Sequence, residues 1–493
     1  MHLAPRITSC QASIPKVSAF IPADFEATGF VKVMKAFLIC IAILTTLSAA
    51  PVQAEEPRNF EDHILPLLRE HCANCHRPGK TRGGLDVTTI ETLEKGGSAG
   101  PSVVAGLAEN SPLFRAISHI GGEEAMPPEQ DKLPPHILAA FKSWIEGGLK
   151  PNVTGKAREA RAVVQLTVDA ATLEAPKTAP DFIRSLPPLA NRPELVRALP
   201  VMALAANPWA PVIAVGGHNE TVLHDLADGH RIGALPFAEG EVRVLRFSRN
   251  GQVLLIGGGR PTASGKVQLI ELKTGKLLTT VGDDFDVVLA ADLSPDQSLV
   301  ATAGPEKLVR VYRVADGALV WSMKKHADFI TSLDFSPDGK LLASSDRAGG
   351  IFISEAANGK NPRLLAGSTD AVNQLAWRSD ARSLAAACGD GQVLLYDPAT
   401  ARLVAKWPAH AGGVLSIAYS REGSLLTGGH DATARLWDET GKQISLFKKC
   451  DTAAFRVAFA STQNPLVGDW SGAVHEWTPE GKEIRTLSTR RAN

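Results

Sequence analysis

From residue 200 onward one short phrase keeps returning, at a spacing of about forty-two residues. Its copies are Leu245-Arg246-Phe247-Ser248, Ala291-Asp292-Leu293-Ser294, Leu333-Asp334-Phe335-Ser336, Leu375-Ala376-Trp377-Arg378, Ile417-Ala418-Tyr419-Ser420 and Val457-Ala458-Phe459-Ala460. Met202-Ala203-Leu204-Ala205 is a weaker first one, which makes seven. A second phrase keeps step with it, from Val222-Leu223-His224-Asp225 through Leu394-Leu395-Tyr396-Asp397 to His475-Glu476-Trp477-Thr478. Glycine turns such as Thr274-Gly275 and Asp316-Gly317 follow most copies. Several short strands per repeat, at this spacing, leave few architectures. One repeat cannot bury both faces of its own sheet, so neighbours must stack, and a stack of small sheets closes into a ring. The pattern predicts an all-β propeller over 200–493, with seven blades. Residues 483–487 read as the last blade's own outer strand, which leaves the closure of the ring open. Residues 163–168, Val-Val-Gln-Leu-Thr-Val, are a candidate strand to add to it.

These phrases resemble those of WD-repeat propellers. Trp437-Asp438 is the one full Trp-Asp pair. In the sixth copy His410, Thr427, Asp431 and Trp437 fit that family's structural hydrogen-bond tetrad, and His326, Ser344 and Asp346 are fragments of another. Kelch and quinoprotein blades fit the spacing less well. The resemblance implies that His326 and His410 are structural. His218, His224, His230, His430 and His475 form no spaced metal set.

A different pattern precedes the repeat: Cys72-Ala73-Asn74-Cys75-His76, the Cys-x-x-Cys-His run of covalent c-type haem attachment. Two thiols on one turn of chain can each add to a vinyl group of one porphyrin, and the adjoining imidazole reaches the iron. Cys72 and Cys75 are therefore the expected anchors and His76 the proximal ligand. A structural zinc site wants four ligands, usually from two clusters, and no second Cys cluster exists. A thioredoxin-like motif follows a strand in a βαβ unit, and no such pattern stands here. Of the remaining cysteines, Cys10 and Cys40 fall early in the chain. Cys388 and Cys450 lie in non-adjacent repeats and read as buried free thiols.

Helical periodicity flanks the motif. Asn59 is a candidate cap, and Phe60, Ile64, Leu67 and Leu68 share one face, with a kink expected at Pro66. Pro134-Pro135 opens a second helix, its stripe is Ile137, Phe141, Trp144 and Ile145, and Gly147-Gly148 ends it. This is the plan of a small all-α class I cytochrome c over 55–150. Iron needs a ligand on its other face. Met126, in Ala125-Met126-Pro127-Pro128, stands just before the last helix in a loop stiffened by proline, and thioether sulfur suits a low-spin haem. The chain has five methionines: Met1 and Met34 read as start sites, and Met202 and Met323 fall in strand-like runs. His119 is the competitor, which would make the ligation bis-histidine.

The segment 57–150 also resembles the planctomycete-type cytochrome c domain of exported bacterial proteins. The matching pieces are Ile64-Leu65-Pro66, the Cys72–Cys75–His76 motif, Gly83-Gly84-Leu85-Asp86, Gly96-Gly97 with Gly100-Pro101, Met126-Pro127-Pro128 and Trp144-Ile145-Glu146-Gly147-Gly148. The family implies a bound haem c and electron transfer. The run 121–124, before the methionine, departs from its usual more polar sequence.

A leader pattern starts at Met34: Lys35, an apolar run over 36–47, and Val52-Gln53-Ala54 as a cleavage site before Glu55. The run is short for a bilayer span. Cleavage removes four of 52 basic and two of 52 acidic side chains, leaving 48 against 50. That near-neutral balance gives no footprint for nucleic acid. Residues 1–54 thus read as leader, 55–150 as the haem domain, 151–199 as an Ala-, Arg- and Pro-rich connector and 200–493 as the propeller. No nucleophile elbow, phosphate loop or paired-carboxylate motif appears. The expectation is an exported, periplasmic single-haem electron carrier whose propeller docks a redox partner protein. Two alternatives stand beside it: an oxidoreductase whose propeller binds substrate or a second cofactor, and a haem redox sensor on a scaffold. Haem nitrite reductases and some quinoprotein dehydrogenases join the same parts, usually with eight blades, but shared architecture is a weak guide to chemistry.

Overall fold

The computed structural model describes residues 58–97, 101–120, 125–128, 131–158, 166, 176, 178–186, 199–284, 286–447, 450 and 452–488. The leader and most of the candidate strand 163–168 lie outside them.

The N-terminal part is helical. A π-helical turn, Phe60–Ile64, runs into α1 (Leu65–His71). Asn59 caps it, its side-chain oxygen accepting the Asp62 N–H at 2.9 Å. Pro66 cannot donate to the preceding turn, so the α-helix restarts at that point and the expected kink is met as a change from π to α winding. Two short helices were not expected: α2 (Ile90–Lys95), opened by a Thr89–Thr92 capping box, and α3 (Pro112–Ser118), opened by proline. The last is α4 (Pro135–Glu146). Phe60, Ile64, Leu68, Ile117, Phe141 and Trp144 meet in one core. The Lys150 carbonyl closes it, accepting the Trp144 indole N–H at 3.1 Å and the Phe60 N–H at 2.8 Å. Residues past 150 go on bonding to this part. Arg158 donates its backbone N–H to Gly148 and grips Glu94 through two guanidinium bonds, 2.9 and 3.1 Å.

A two-residue hairpin, β1 (His76–Arg77) with β2 (Lys80–Thr81), is the only strand pairing described before residue 200. From there everything is antiparallel sheet. β3 to β9, residues 204–284, form one seven-stranded sheet in chain order. β6 (Arg231–Phe247) is its long middle strand, pairing with the strand before it through its first half and the strand after it through its second. Five four-stranded sheets follow, also in chain order: β10–β13 (290–323), β14–β17 (330–364), β18–β21 (372–408), β22–β25 (414–447) and β26–β29 (454–488).

The first strand of each sheet has no strand on its outer side, so its N–H and C=O groups need other partners. Side chains from the preceding sheet supply them. Asp292 accepts the Phe335 N–H at 2.7 Å, Asp334 the Trp377 N–H at 2.8 Å, and Gln374 the Ile417 N–H at 3.2 Å. One step along, Ser332 accepts from Leu375 and Ser416 from Val457, both at 3.0 Å. Thr331 donates to the Val372 carbonyl, and Asn373 to that of Val414 at 2.7 Å. Each bond joins equivalent places in neighbouring repeats, which is why the repeat spacing is so regular.

The ring closes by packing rather than strand exchange. β28 (Ala473–Trp477) pairs with β29 (Glu483–Ser488) inside the last sheet. That sheet lies on the first through Val201, Leu204, Ile213, Ala460, Leu466 and Val474. The Val201 N–H donates to the Asp469 carbonyl at 3.1 Å. Arg421 latches the seam, donating to the Pro208 carbonyl at 2.9 Å and lying 4.5 Å over the Trp209 ring. Leu166, the one described residue of the candidate strand, is in no strand and packs on the apolar layer that holds Leu269 and Val300. The connector residues Phe182, Ile183 and Leu186 pack on the first sheet, with Ile183 and Leu186 N–H groups bonded to Leu272 and Ile232.

The tetrad is complete in the sixth copy. His410 joins Asp431 at 2.9 Å and Thr427 at 2.8 Å, and Trp437 donates to the same Thr427 oxygen at 2.8 Å. His326 joins Asp346 and Ser344, both at 2.8 Å, but Ser354 stands in the tryptophan's place and its hydroxyl is buried without a partner. Burial holds both imidazoles below their ordinary pKa, partly offset by the carboxylates. The last sheet solves the problem differently: His475, on the third strand, bonds Asp469 and Thr486 and stacks on Trp477. Cys388 and Cys450 are buried, and neither forms a disulfide.

Two variants probe this stacking. Thr427→Ala leaves the His410 and Trp437 ring nitrogens unpaired, at about 1–3 kcal/mol for each buried group. Denaturant unfolding should show that loss, and a change under about 0.5 kcal/mol would mean the tetrad is idle. Asp334 is only half-buried by surface area, yet it is enclosed by the inner strands. Desolvation, then the neighbouring Asp292 carboxylate, push its pKa up. A carboxyl with a raised folded pKa favours the folded state below its unfolded value, and that contribution is lost as pH rises through the folded one. Asp334→Asn keeps the acceptor for Trp377 and removes the titration. Its melting temperature relative to the native chain should therefore be higher at about pH 8 than at about pH 5, and an equal offset at both would refute the assignment.

Candidate functional site

The geometry of Cys72, Cys75 and His76 starts in α1. Its buried face, Ile64 and Leu68, anchors the helix to the core. Its last carbonyls are taken by the motif itself: Cys72 and Ala73 N–H groups both donate to Leu68, at 2.9 Å each. The chain then winds one more turn. Cys75 and His76 N–H groups both donate to the Cys72 carbonyl at 3.1 Å. This single turn holds both thiols and the imidazole in one short arc, as the three-residue spacing requires.

His76 is pinned on both sides of its peptide. Its carbonyl accepts the Val87 N–H at 3.1 Å, and the β1–β2 ladder pairs it with Thr81. The Cys75 carbonyl accepts the Arg82 N–H at 3.2 Å. The loop beyond must then turn sharply, and Gly83 does so at φ 60°. Gly97 crosses close by: a Cβ there would sit 2.4 Å from the Gly83 carbonyl oxygen, so only glycine allows the approach. These are glycines of the Gly83-Gly84 and Gly96-Gly97 pieces singled out from the sequence.

Within this fixed backbone the His76 ring is half-buried and its Nδ1 is buried with no hydrogen-bond partner. A buried imidazole nitrogen without a protein partner is costly, and it leaves the ring able to take a partner from outside the protein. Cys72 is half-buried against the apolar core, and that burial pushes its thiol up to about 11. Zinc binding and disulfide exchange both need a thiolate. Addition to a vinyl group consumes a thiol, so a protonated Cys72 suits that chemistry. Both cysteines are free.

Met126 reaches the same core from another side. α3 ends at Ser118, and the chain returns so that the Met126 N–H donates to the Ala116 carbonyl at 3.1 Å. Its half-buried side chain packs on the cluster that also takes Cys72. His119 does not. It caps α3 in a left-handed conformation and is exposed. Run 121–124 lies outside the described residues. An apolar cluster, two free thiols, an orphaned imidazole and a thioether make a donor set that fits a c-type haem. What sequence reasoning missed is the scaffold: α2 and α3, which set Gly97 and Met126, are too short to show a periodic stripe. The Thr89 capping box and Ser111-Pro112 were the available signals.

Against known families, residues 72–130 match the model of planctomycete cytochrome C. Residues 291–369 match that of the anaphase-promoting complex subunit 4 WD40 domain. Residues 359–397 and 401–438 match that of the WD domain, G-beta repeat. No curated protein matches the chain. The matches follow one another in the order in which the helical part and the sheets do: the chain carries a planctomycete cytochrome C domain followed by WD40 repeats.

Proposed function

We propose that this chain is an exported c-type cytochrome, with one covalent haem in a helical domain over 55–150 and a propeller over 200–493 that docks a redox partner. The observation that carries the reading is the pinned His76, whose buried Nδ1 has no partner in the protein. Cys72 and Cys75 would hold the porphyrin through thioether bonds. His76 and Met126 would be the axial ligands. When bound, the group supplies a one-electron couple between Fe(II) and Fe(III). The chain's own residues do the rest. Leu68 and Trp144 belong to the apolar core against which Cys72 and Met126 pack. The Ala116 carbonyl holds the Met126 backbone.

WD40 repeats support a docking role for the second half. Counting β6 as the outer strand of one blade and the inner strand of the next gives seven blades. The periplasm suits both the leader pattern and covalent haem attachment. Among the described residues no helix is long and apolar enough to cross a membrane. The near-neutral charge gives no basic excess that would point to nucleic acid.

The test uses the chain with its leader, made in a host that attaches c-type haem. One haem iron per chain and no other chromophore is the expected result, while a second cofactor would favour the oxidoreductase reading. The oxidised protein should show the thioether-to-iron charge-transfer band in the near infrared. Met126→Ala should abolish that band and lower the reduction potential, since a methionine ligand raises it. Persistence of the band in Met126→Ala would overturn this ligand.

A further inference from the structure

The inner strands of the propeller enclose a narrow cavity into which Arg243 and Arg246 of β6 and Arg456 of β26 (Ala454–Phe459) converge, beside Thr331, Asn373 and Gln374. Its volume is about 50 Å³, where one water needs roughly 10–15 Å³. That is room for a few waters or one small ion, and far too little for a porphyrin, a nucleotide or a peptide side chain with its backbone.

The cations outnumber their partners. Arg243 pairs with Glu241. The nearest carboxylate oxygen to Arg246 is that of Asp292, 3.8 Å from Nε, and Asp292 already accepts the Phe335 N–H. Arg456 has no carboxylate partner among the described residues: it donates to its neighbour's carbonyl, Phe455, at 3.1 Å, and lies 4.8 Å over that ring. The Nε atoms of Arg243 and Arg246 are buried and unpaired. Desolvation, then the charges of Arg246 and Arg243, push Arg456 down to about 10. Three guanidinium groups brought together with N–H donors that no protein group satisfies are unfavourable by themselves. An oxyanion relieves this, because guanidinium N–H forks match its oxygens two at a time.

We propose that this axial cavity is a binding site for one small oxyanion, of the size of sulfate or phosphate, held by Arg243, Arg246 and Arg456. The polar neighbours favour the same ligand. Thr331 and Asn373 spend a donor each on carbonyls of the following sheet's first strand, Val372 and Val414, which leaves the arginines as the main donors to whatever sits on the axis. Arg243 and Arg246 share β6 while Arg456 comes from β26, at the other end of the repeat, so the site exists only when the ring is closed. It therefore also couples anion binding to the seam between the last sheet and the first.

The test is calorimetric titration of the full mature chain with sodium sulfate and, separately, inorganic phosphate, at ionic strength held constant with sodium chloride. Saturable binding of one anion per chain, with a rise in melting temperature, is expected. Arg456→Gln should weaken it at least tenfold, and Arg246→Gln should do so as well if Arg456→Gln does not fold. No saturable binding of either anion by the native chain would overturn the proposal, as would an equal response to chloride or undiminished affinity in a folded variant. None of these readouts depends on haem, so this site and the cytochrome reading fail separately.

Discussion

A small sheet that turns its first strand toward an axis exposes a row of backbone donors and acceptors with no strand to meet them. The propeller depends on how that row is satisfied. The answer is a side chain from the sheet before: Asp292, Asp334 and Gln374 at one level, Ser332 and Ser416 at the next. These bonds set the angle and register of each sheet on its neighbour. They also explain an otherwise costly choice, the placing of carboxylates among inner strands, where desolvation raises the pKa of Asp292 and Asp334. Apolar layers such as the one around Leu333, Phe335 and Leu342 supply most of the burial. The polar bonds decide which arrangement that burial stabilises.

The helical part meets the opposite demand. It holds the His76 backbone in place while the ring's Nδ1 has no protein partner. Backbone bonds on both sides of His76 fix the ring's root, and the apolar core fixes the helix that delivers it. Little of this comes from regular secondary structure. The motif turn, the two-residue hairpin and the glycine crossing at Gly83 and Gly97 are all irregular, as backbone at binding sites often is.

Much of this was legible in the sequence, for identifiable reasons. The repeat was readable because two phrases recur in step at a spacing of about forty-two residues and its turns carry glycine. The haem motif was readable because its chemistry demands fixed spacing. The kink at Pro66 and the end of α4 at Gly147-Gly148 followed from residues with one dominant conformational preference. Other features were hidden. α2 and α3 each span under two turns and take their stability from contacts made elsewhere. The role of His475 escaped because it lies on a strand, whereas His326 and His410 lie in loops between sheets, yet it pairs with an aspartate as they do. Arg243, Arg246 and Arg456 looked like ordinary strand arginines, since only a closed ring brings β6 and β26 to one cavity. The seam was beyond pattern reading for the same reason: Val201 and Leu466 are far apart in sequence, and neither carries a motif.

The central claim is that iron porphyrin is bonded to the chain through Cys72 and Cys75. Intact-mass spectrometry of denatured, exported protein addresses it most directly, because denaturation strips any group that is not covalently held. The account predicts a chain beginning at Glu55 and heavier than its polypeptide by one haem, with that increment absent when both Cys72 and Cys75 are replaced by serine. A native chain at the bare polypeptide mass, from cells in which other c-type cytochromes are fully loaded, would contradict it.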